Sequence, residues 1–558
     1  MKHSIRCGAA AVVFAVSLSA VPNQPGGEVE LLPIEGVREF PEATEPGAIR
    51  YACAPNTAAL ESFFGEKGLP FVAKLVRRVQ DRKACHIFYE PTVPGFRALP
   101  DDRPIEGFVS GINPDDFVAD LEPVGDSLSV VQAVLARVER PLDVMLSVVE
   151  EYGDAEWPAA LERHFPNTPH HIRLLHSSAS ETHPWGQDFL KAGAVGGQLR
   201  LLSPRRLFEG RETDGERFAP MLDAFRDGPY ARSKLSWEGG DLQVARDPRD
   251  PNKTILCYGS TVRRYWGGEL RPAEFGWVMQ VELGTDSVID VSNIGPHTDY
   301  LVGFLPEPGV AVVSEPVRDD MQLMRSIVAA LQQLYGDRAP RELSTLPGVI
   351  TRLETGASED AVRDIRRSVD ILRVQLPTIL PYVDPDTDRL VLDYLRANCP
   401  EDIQQCFTLA GRRKLLAENR DLLRRALDVK ARYEQEQTVH WQLLDLLEAQ
   451  FPGVRSPIDD QLNRLAQTLK ARGFRVVRLP YLYGDRKTRQ WPGVSYVNML
   501  AVDKQLFVPA FGLGKSEEGY FKQIAKKLPG YEVVPVAARM GIASNGGVHC
   551  VFGLLRQP

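Results

Sequence analysis

Four short segments set polar side chains beside glycines, aromatics and strand ends: PWGQDF around Asp188, SWEGGDLQV around Glu238, GPHTDYLVGFLP around His297 and Asp299, and NGGVHCVFG around Cys550. Loops at strand ends are where binding and catalytic groups concentrate. Together the segments hold one thiol, one imidazole and three carboxylates. A thiolate attacks electrophilic carbon, an imidazole moves protons in both directions near neutral pH, and carboxylates hold a cationic group by charge and hydrogen bonds. Taken singly each segment is weak, because a carboxylate after Trp commonly caps a turn, a single His commonly satisfies a core hydrogen bond, and a Cys beside a strand commonly packs as a hydrophobe. Their conjunction is what points to nucleophilic catalysis, with Cys550 as the nucleophile.

The elements that must position these groups are legible in outline. From Pro141 onward, LDVMLSVVE reads as a buried strand, WPAALERHF as a helix and HIRLLHSS as a second strand, a β/α module. Strand signals recur at TILCYG, GWVMQVEL, YLVGFLP, GVAVVSEP, FRVVRLPYL, YVNMLAV, QLFVPAFG, YEVVPVAA and VHCVFGLL. Between Val317 and about Phe451 the pattern changes to amphipathic helices: Met321, Met324, Ile327, Val328, Leu331 and Leu334 share one face, as do Leu422, Ala426, Val429 and Tyr433. This predicts a helical insertion over 318–451 that divides a catalytic domain of 140–317 and 452–558. Residues 28–139 carry no catalytic pattern and read as an accessory region. Strand alternation would turn His549 away from the face that Cys550 uses, which makes it structural. The acidic run Asp384, Asp386, Asp388 lacks the glycine and distal glutamate of a helix-loop-helix calcium site and reads as a turn.

At 558 residues and 43% apolar composition the chain can bury a large core in two or three units. Its formal charge of -8, from 74 acidic and 66 basic residues, is spread without a basic stripe, so no nucleic-acid partner is expected. Lys2, His3 and Arg6 precede an apolar run from Ala9 to Val16 and then Ser17, Ser19 and Ala20, the order of an export signal over 1–20. That run is too short for a membrane span, so no membrane insertion is expected, and the protein should be secreted or periplasmic. In an oxidising compartment Cys53 with Cys85 and Cys399 with Cys406 are candidate disulfides, their connectivity left open by spacing, while Cys257 reads as a buried hydrophobe.

The tail, YVNMLAVDKQLFVPAFG followed by VVPVAARMGIASNGGVHCVFGLLRQP, resembles the C-terminal part of agmatine deiminases and protein-arginine deiminases of the guanidino-group-modifying (pentein) superfamily. PHTDYLVGFLPEPG is similar to the His-x-Asp strand of protein-arginine deiminases, WGQD to their Trp-x-Gln-Asp segment, and WEGGD to the Glu-Gly-Gly-Asp of arginine and agmatine deiminases. The order Asp, Glu, His-x-Asp, Cys along the chain also follows that superfamily. The resemblance implies an α/β fold, a five-bladed pseudo-symmetric α/β propeller with the site at its centre. It also implies hydrolysis of a guanidinium group, peptidyl-arginine above all, to a ureido group and ammonia. Asp188 and Asp299 would hold the guanidinium, Cys550 would form a covalent thiouronium, His297 would act as general acid and then base, and Glu238 would orient His297 or hold the substrate itself. Trp185 and Asn545, within the same motifs, complete the candidate substrate-binding set. No cofactor is expected, and calcium activation is not, because Phe189, Leu190 and Lys191 stand where animal protein-arginine deiminases carry acidic residues. The other readings are a small-molecule deiminase acting on agmatine or free arginine, an amidinotransferase, and a non-catalytic module that binds arginine side chains.

Overall fold

The computed structural model describes residues 49–54, 74–78, 84–112, 127–149, 156–177, 185–205, 230–259, 272–294, 297–336, 339–356, 358–379, 439–451, 458–482, 494–538 and 547–558. The export signal, the Cys399–Cys406 pair, the acidic run at Asp384, the helix face from Leu422 to Tyr433, and Asn545 lie outside these residues.

Short β-branched and aromatic runs between turn residues form the strands, as their preference for a pleated, half-buried surface dictates. In chain order these are β1 (Ile49–Ala54), β2 (Lys74–Arg78), β3 (Ala84–Tyr89), β4 (Arg97–Ala98), β5 (Ile105–Gly111), helix α1 (Ser127–Leu135), β6 (Asp143–Val149), α2 (Glu156–His164) and β7 (His171–Ser177). There follow β8 (Lys191–Val195), β9 (Gln198–Ser203), β10 (Tyr230–Arg232), β11 (Leu242–Asp247), β12 (Asp250–Tyr258), α3 (Pro272–Leu283), β13 (Ser287–Asp290), β14 (Val302–Phe304) and β15 (Val310–Pro316). Helices α4 (Met321–Tyr335), α5 (Arg341–Glu354), α6 (Ser358–Ile379) and α7 (Asp459–Ala471) come next. The chain ends with β16 (Arg475–Leu482), β17 (Val494–Ser495), β18 (Leu500–Val502), β19 (Gln505–Ala510), α8 (Gly514–Lys527), β20 (Glu532–Ala537) and β21 (Gly553–Arg556).

One arrangement recurs. An antiparallel pair is extended by a parallel third strand in β8·β9·β10, β11·β12·β13, β14·β15·β16, β18·β19·β20 and β21·β5·β6. Each of these five sheets is entered through a tight segment that ends in a polar or glycine residue, a second residue that is apolar in four of the five, and Leu or Phe: Asp188-Phe189-Leu190, Gly240-Asp241-Leu242, Asp299-Tyr300-Leu301, Asn498-Met499-Leu500 and Cys550-Val551-Phe552. Four of the entries are 3-10 turns. The last sheet joins the C-terminal strand β21 to β5, with Gly553 opposite Val109 and Leu554 opposite Phe108.

That pairing corrects the expected boundary at 139/140. Strand β5 lies between β21 and β6, and β4 pairs with β8, so the sheets that carry the site already include residues from Arg97 onward. The N-terminal hairpin sheet β1-β3-β2 stands apart from this repeat. Its register sets Cys53 opposite Cys85, the pair joined on sequence grounds.

The insertion helices are as amphipathic as the sequence predicts, with Leu323, Met324, Ile327, Val328, Leu331 and Tyr335 buried on α4. Tyr335 takes the inward place expected for Leu334. These residues form one apolar cluster with Val477 and Leu479 of β16, Leu506 and Val508 of β19, Ile524 of α8, and Leu443 and Leu447 of the helical stretch 439–449. The insertion therefore shares its core with two of the five sheets.

Candidate active site

Each candidate residue sits at or just before a strand entry, where backbone direction changes sharply. Asp188 lies in the turn Gly186–Phe189, Glu238 immediately before Gly239–Asp241, Asp299 within Thr298–Tyr300, and Cys550 within His549–Val551. His297 has φ of 53°, in the left-handed region that costs a side-chain-bearing residue energy and is held by surrounding structure at functional positions. Ser314 and Ser495 both donate to the Tyr300 carbonyl, at 2.6 and 2.7 Å, and so pin the turn that carries Asp299.

The structure brings Asp188, Glu238, His297, Asp299 and Cys550 together. Ligand atoms of His297, Asp299 and Cys550 lie within 4.8 Å of one another, as do those of Asp188, Glu238 and His297. Asp188, Glu238, Asp299 and Cys550 are 2–4% exposed. His297 Nε2 donates to Glu238 Oε2 at 3.0 Å, which leaves Nδ1 facing the cluster. The Cys550 thiol donates to Asp299 Oδ2 at 3.2 Å. At the centre stands Gly240. A Cβ there would meet His297 Nδ1 at 2.9 Å, Asp188 Oδ1 at 3.2 Å and Asp299 Oδ1 at 3.5 Å, so the missing side chain leaves a small space bordered by two carboxylate oxygens and the imidazole. His297 Nδ1 and Asp299 Oδ1 are buried without a hydrogen-bond partner among the described residues. Buried acceptors carry a desolvation cost unless a donor arrives, so this space suits a planar cation rich in N–H groups.

Two groups in the site were not legible in the sequence. Asn498, fully buried, enters the fourth sheet at the position that Asp188, Asp299 and Cys550 occupy in theirs. Its Nδ2 donates to Asp299 Oδ2 at 2.8 Å and to Cys550 Sγ at 3.1 Å, while its Oδ1 accepts from the backbone N–H of His549 at 3.0 Å. The signal that could have found it is the likeness of Asn498-Met499-Leu500 to Asp299-Tyr300-Leu301. The second is His549, whose Nδ1 lies 3.4 Å from Asp299 Oδ2. This corrects its reading as an outward-facing structural residue: the segment is a 3-10 turn, so strand alternation does not apply. Trp185 precedes its turn and packs against the apolar cluster of Phe108, Trp157 and Phe552. Cys257 is fully buried in β12, as expected of a hydrophobe.

Electrostatics follow from this crowding. Burial pushes the Cys550 thiol up to about 12, Asp299 adds to the push, and His297 opposes it. For His297 burial works against the charged form, yet the Cys550 sulfur and the Glu238 carboxylate beside it hold its pKa well above the ordinary value. Without substrate, the cluster is therefore a protonated thiol beside an imidazolium, enclosed by carboxylates.

Residues 425–552, ending just past Cys550, match the family model of Porphyromonas-type peptidyl-arginine deiminases. That stretch of the chain is similar to this family. No curated protein matches the chain in sequence. Among solved structures it is similar to the agmatine deiminase of C. jejuni, at 13% identity over 83% of this chain and 96% of that one with a TM-score of 0.44. The agmatine deiminase of Enterococcus faecalis aligns at 13% identity over 84% and 100% of the two chains, TM-score 0.43. Likenesses this distant say nothing of the substrate.

Proposed function

We propose that this protein is a deiminase that converts peptidyl-arginine to peptidyl-citrulline and ammonia. The observation that carries the chemistry is the pair of carboxylate oxygens bordering Gly240, with a thiol on one side and an imidazole tied to a carboxylate on the other. Arginine stays protonated at any physiological pH. Asp188 and Asp299 accept its N–H groups and hold the plane of the guanidinium against Sγ. The incoming positive charge favours the thiolate, so substrate itself lowers the pKa that burial raised, and the thiol proton passes to solvent. Thiolate sulfur bonds to the central carbon; His297 gives its proton to one amino group, which leaves as ammonia, and a thiouronium remains. The now neutral imidazole takes a proton from water as the water oxygen attacks the same carbon. Collapse expels the thiolate and leaves the ureido group. Glu238 keeps His297 in the tautomer that this exchange needs, and Asn498 steadies the sulfur.

The peptide substrate is supported by the description of the matched family and by the expected export of the chain, which would give it extracellular protein targets. The five sheets of like strand order, the last of which pairs β21 with β5, support a five-bladed ring around the site. The test is an assay of ammonia and ureido product from an arginine-containing peptide, free arginine and agmatine, with wild type and Cys550→Ala. Peptide turnover by wild type and none by the variant is expected. Turnover of agmatine alone would overturn the peptide reading, and absence of ammonia from every guanidine would overturn the deiminase reaction.

A further inference from the structure

We propose that Cys550, His297 and Asp299 also form a binding site for a thiophilic divalent cation, zinc foremost, which competes with the guanidinium for the same pocket. This rests on the reading of the site given above and adds a regulator to it. Thiolate, imidazole and carboxylate together are a ligand set that zinc prefers. Here the three ligand atoms already lie within 4.8 Å of one another. In a tetrahedral zinc site, with bonds of about 2.0–2.3 Å, ligand atoms stand roughly 3.3–3.7 Å apart, so closure needs shifts of about 1 Å.

The surrounding groups are arranged as the outer shell of a metal site requires. Glu238 accepts from His297 Nε2 at 3.0 Å, so when the imidazolium gives up a proton Nε2 keeps its own and the lone pair is left on Nδ1, turned into the cluster. A histidine ligand almost always has such a partner, which fixes its tautomer and raises its basicity. Nδ1 and Asp299 Oδ1 are both buried without a hydrogen-bond partner among the described residues, and both are in position to ligate. Asn498 Nδ2 sits 3.1 Å from Sγ, where its N–H would donate to a metal-bound thiolate. Asp188, grouped with Glu238 and His297 within 4.8 Å, offers a fourth ligand, or water fills that place. On binding, the thiol and the imidazolium each release a proton as the Zn–S and Zn–N bonds form, so affinity rises with pH. A guanidinium and a metal ion cannot both occupy the space over Gly240, so each excludes the other.

Cobalt(II) provides the probe, because a cobalt–thiolate bond gives a near-ultraviolet charge-transfer band that a carboxylate or imidazole site lacks. Wild type titrated with cobalt(II) should show that band, zinc should abolish it, and calorimetry should show zinc affinity rising with pH. Cys550→Ala should lose the band, and Glu238→Gln should weaken zinc binding by about 10–100-fold, as loss of an outer-shell partner does. Because a buried substitution can disturb folding, each variant is compared with wild type by circular dichroism, and cobalt titration of wild type after alkylation of Cys550 gives a measurement free of substitution. Absence of the band in wild type, or zinc binding unchanged in both Cys550→Ala and the alkylated protein, would overturn the proposal. A band in a protein that releases no ammonia from any guanidine would leave the metal site standing and remove the deiminase reaction; turnover insensitive to zinc with no band would do the reverse.

Discussion

At the scale of single residues, the site is governed by which buried groups are satisfied before substrate arrives. Asp299 Oδ2 takes the Asn498 amide and the Cys550 thiol, while Oδ1 has no partner among the described residues. One oxygen is thus anchored and the other available to a ligand. Asn498→Ala removes the anchor and leaves a buried acceptor short of a donor, a change worth about 1–3 kcal/mol. A fall in kcat/KM of roughly 10–100-fold is expected, with a lower Tm; unchanged kinetics would show that Asn498 is not part of the site. The thiol makes a second prediction, in pH. Its pKa of about 12 in the free protein lies above the ordinary thiol value, so at moderately alkaline pH it remains protonated and slow to alkylate. The thiolate absorbance of wild type minus Cys550→Ala should appear only on approach to that value, and a bound guanidinium, by its positive charge, should move the transition to lower pH.

At the scale of elements, the five strand entries explain why residues far apart in sequence meet. Each turn delivers one side chain toward the same centre, and the strand that follows is locked by its neighbours. Strand β21 shows this best. Cys550 is fixed because Phe552 is fully buried and meets Phe108 of β5 edge-on at 4.6 Å. Phe552→Ala should cost about 3–5 kcal/mol, read in denaturant unfolding, and should lower activity more than a core substitution distant from the site. Here the sequence was partly misleading. It identifies Cys550 through its motif, but it presents VHCVFGLL as one strand, whereas the first residues form a 3-10 turn that brings His549 to Asp299. Local apolar alternation does not distinguish a strand from the tight turn that leads into it.

At the scale of the molecule, the helical insertion is part of the core. Leu331 of α4 and Leu443 of the 439–449 stretch pack in the same cluster as Leu479 of β16 and Val508 of β19, and Tyr520 of α8 donates to Asp320, the residue that caps α4, at 3.1 Å. Deletion of residues 318–451 should therefore give insoluble protein instead of a smaller active enzyme. Leu331→Ala should cost about 2–5 kcal/mol and lower the thermal stability of the whole chain in one transition. A separate low-temperature transition in calorimetry, with activity intact, would show that the insertion folds apart from the sheets.

What the sequence by itself determined is the chemistry: Asp188, Glu238, His297, Asp299 and Cys550 are identified by residue type and local motif, because nucleophile, proton carrier and cation holder need particular functional groups. The helical character of 318–451 is likewise written in its 3.6-residue periodicity. Only the tertiary structure decided that β5 belongs beside β21, that Asn498 reaches both Cys550 and Asp299, and that Gly240 leaves the space beside Asp188, His297 and Asp299. These are contacts between segments separated by hundreds of residues. Neither propensity nor periodicity encodes them, since both are properties of neighbours along the chain, while the site is made where five strand entries meet.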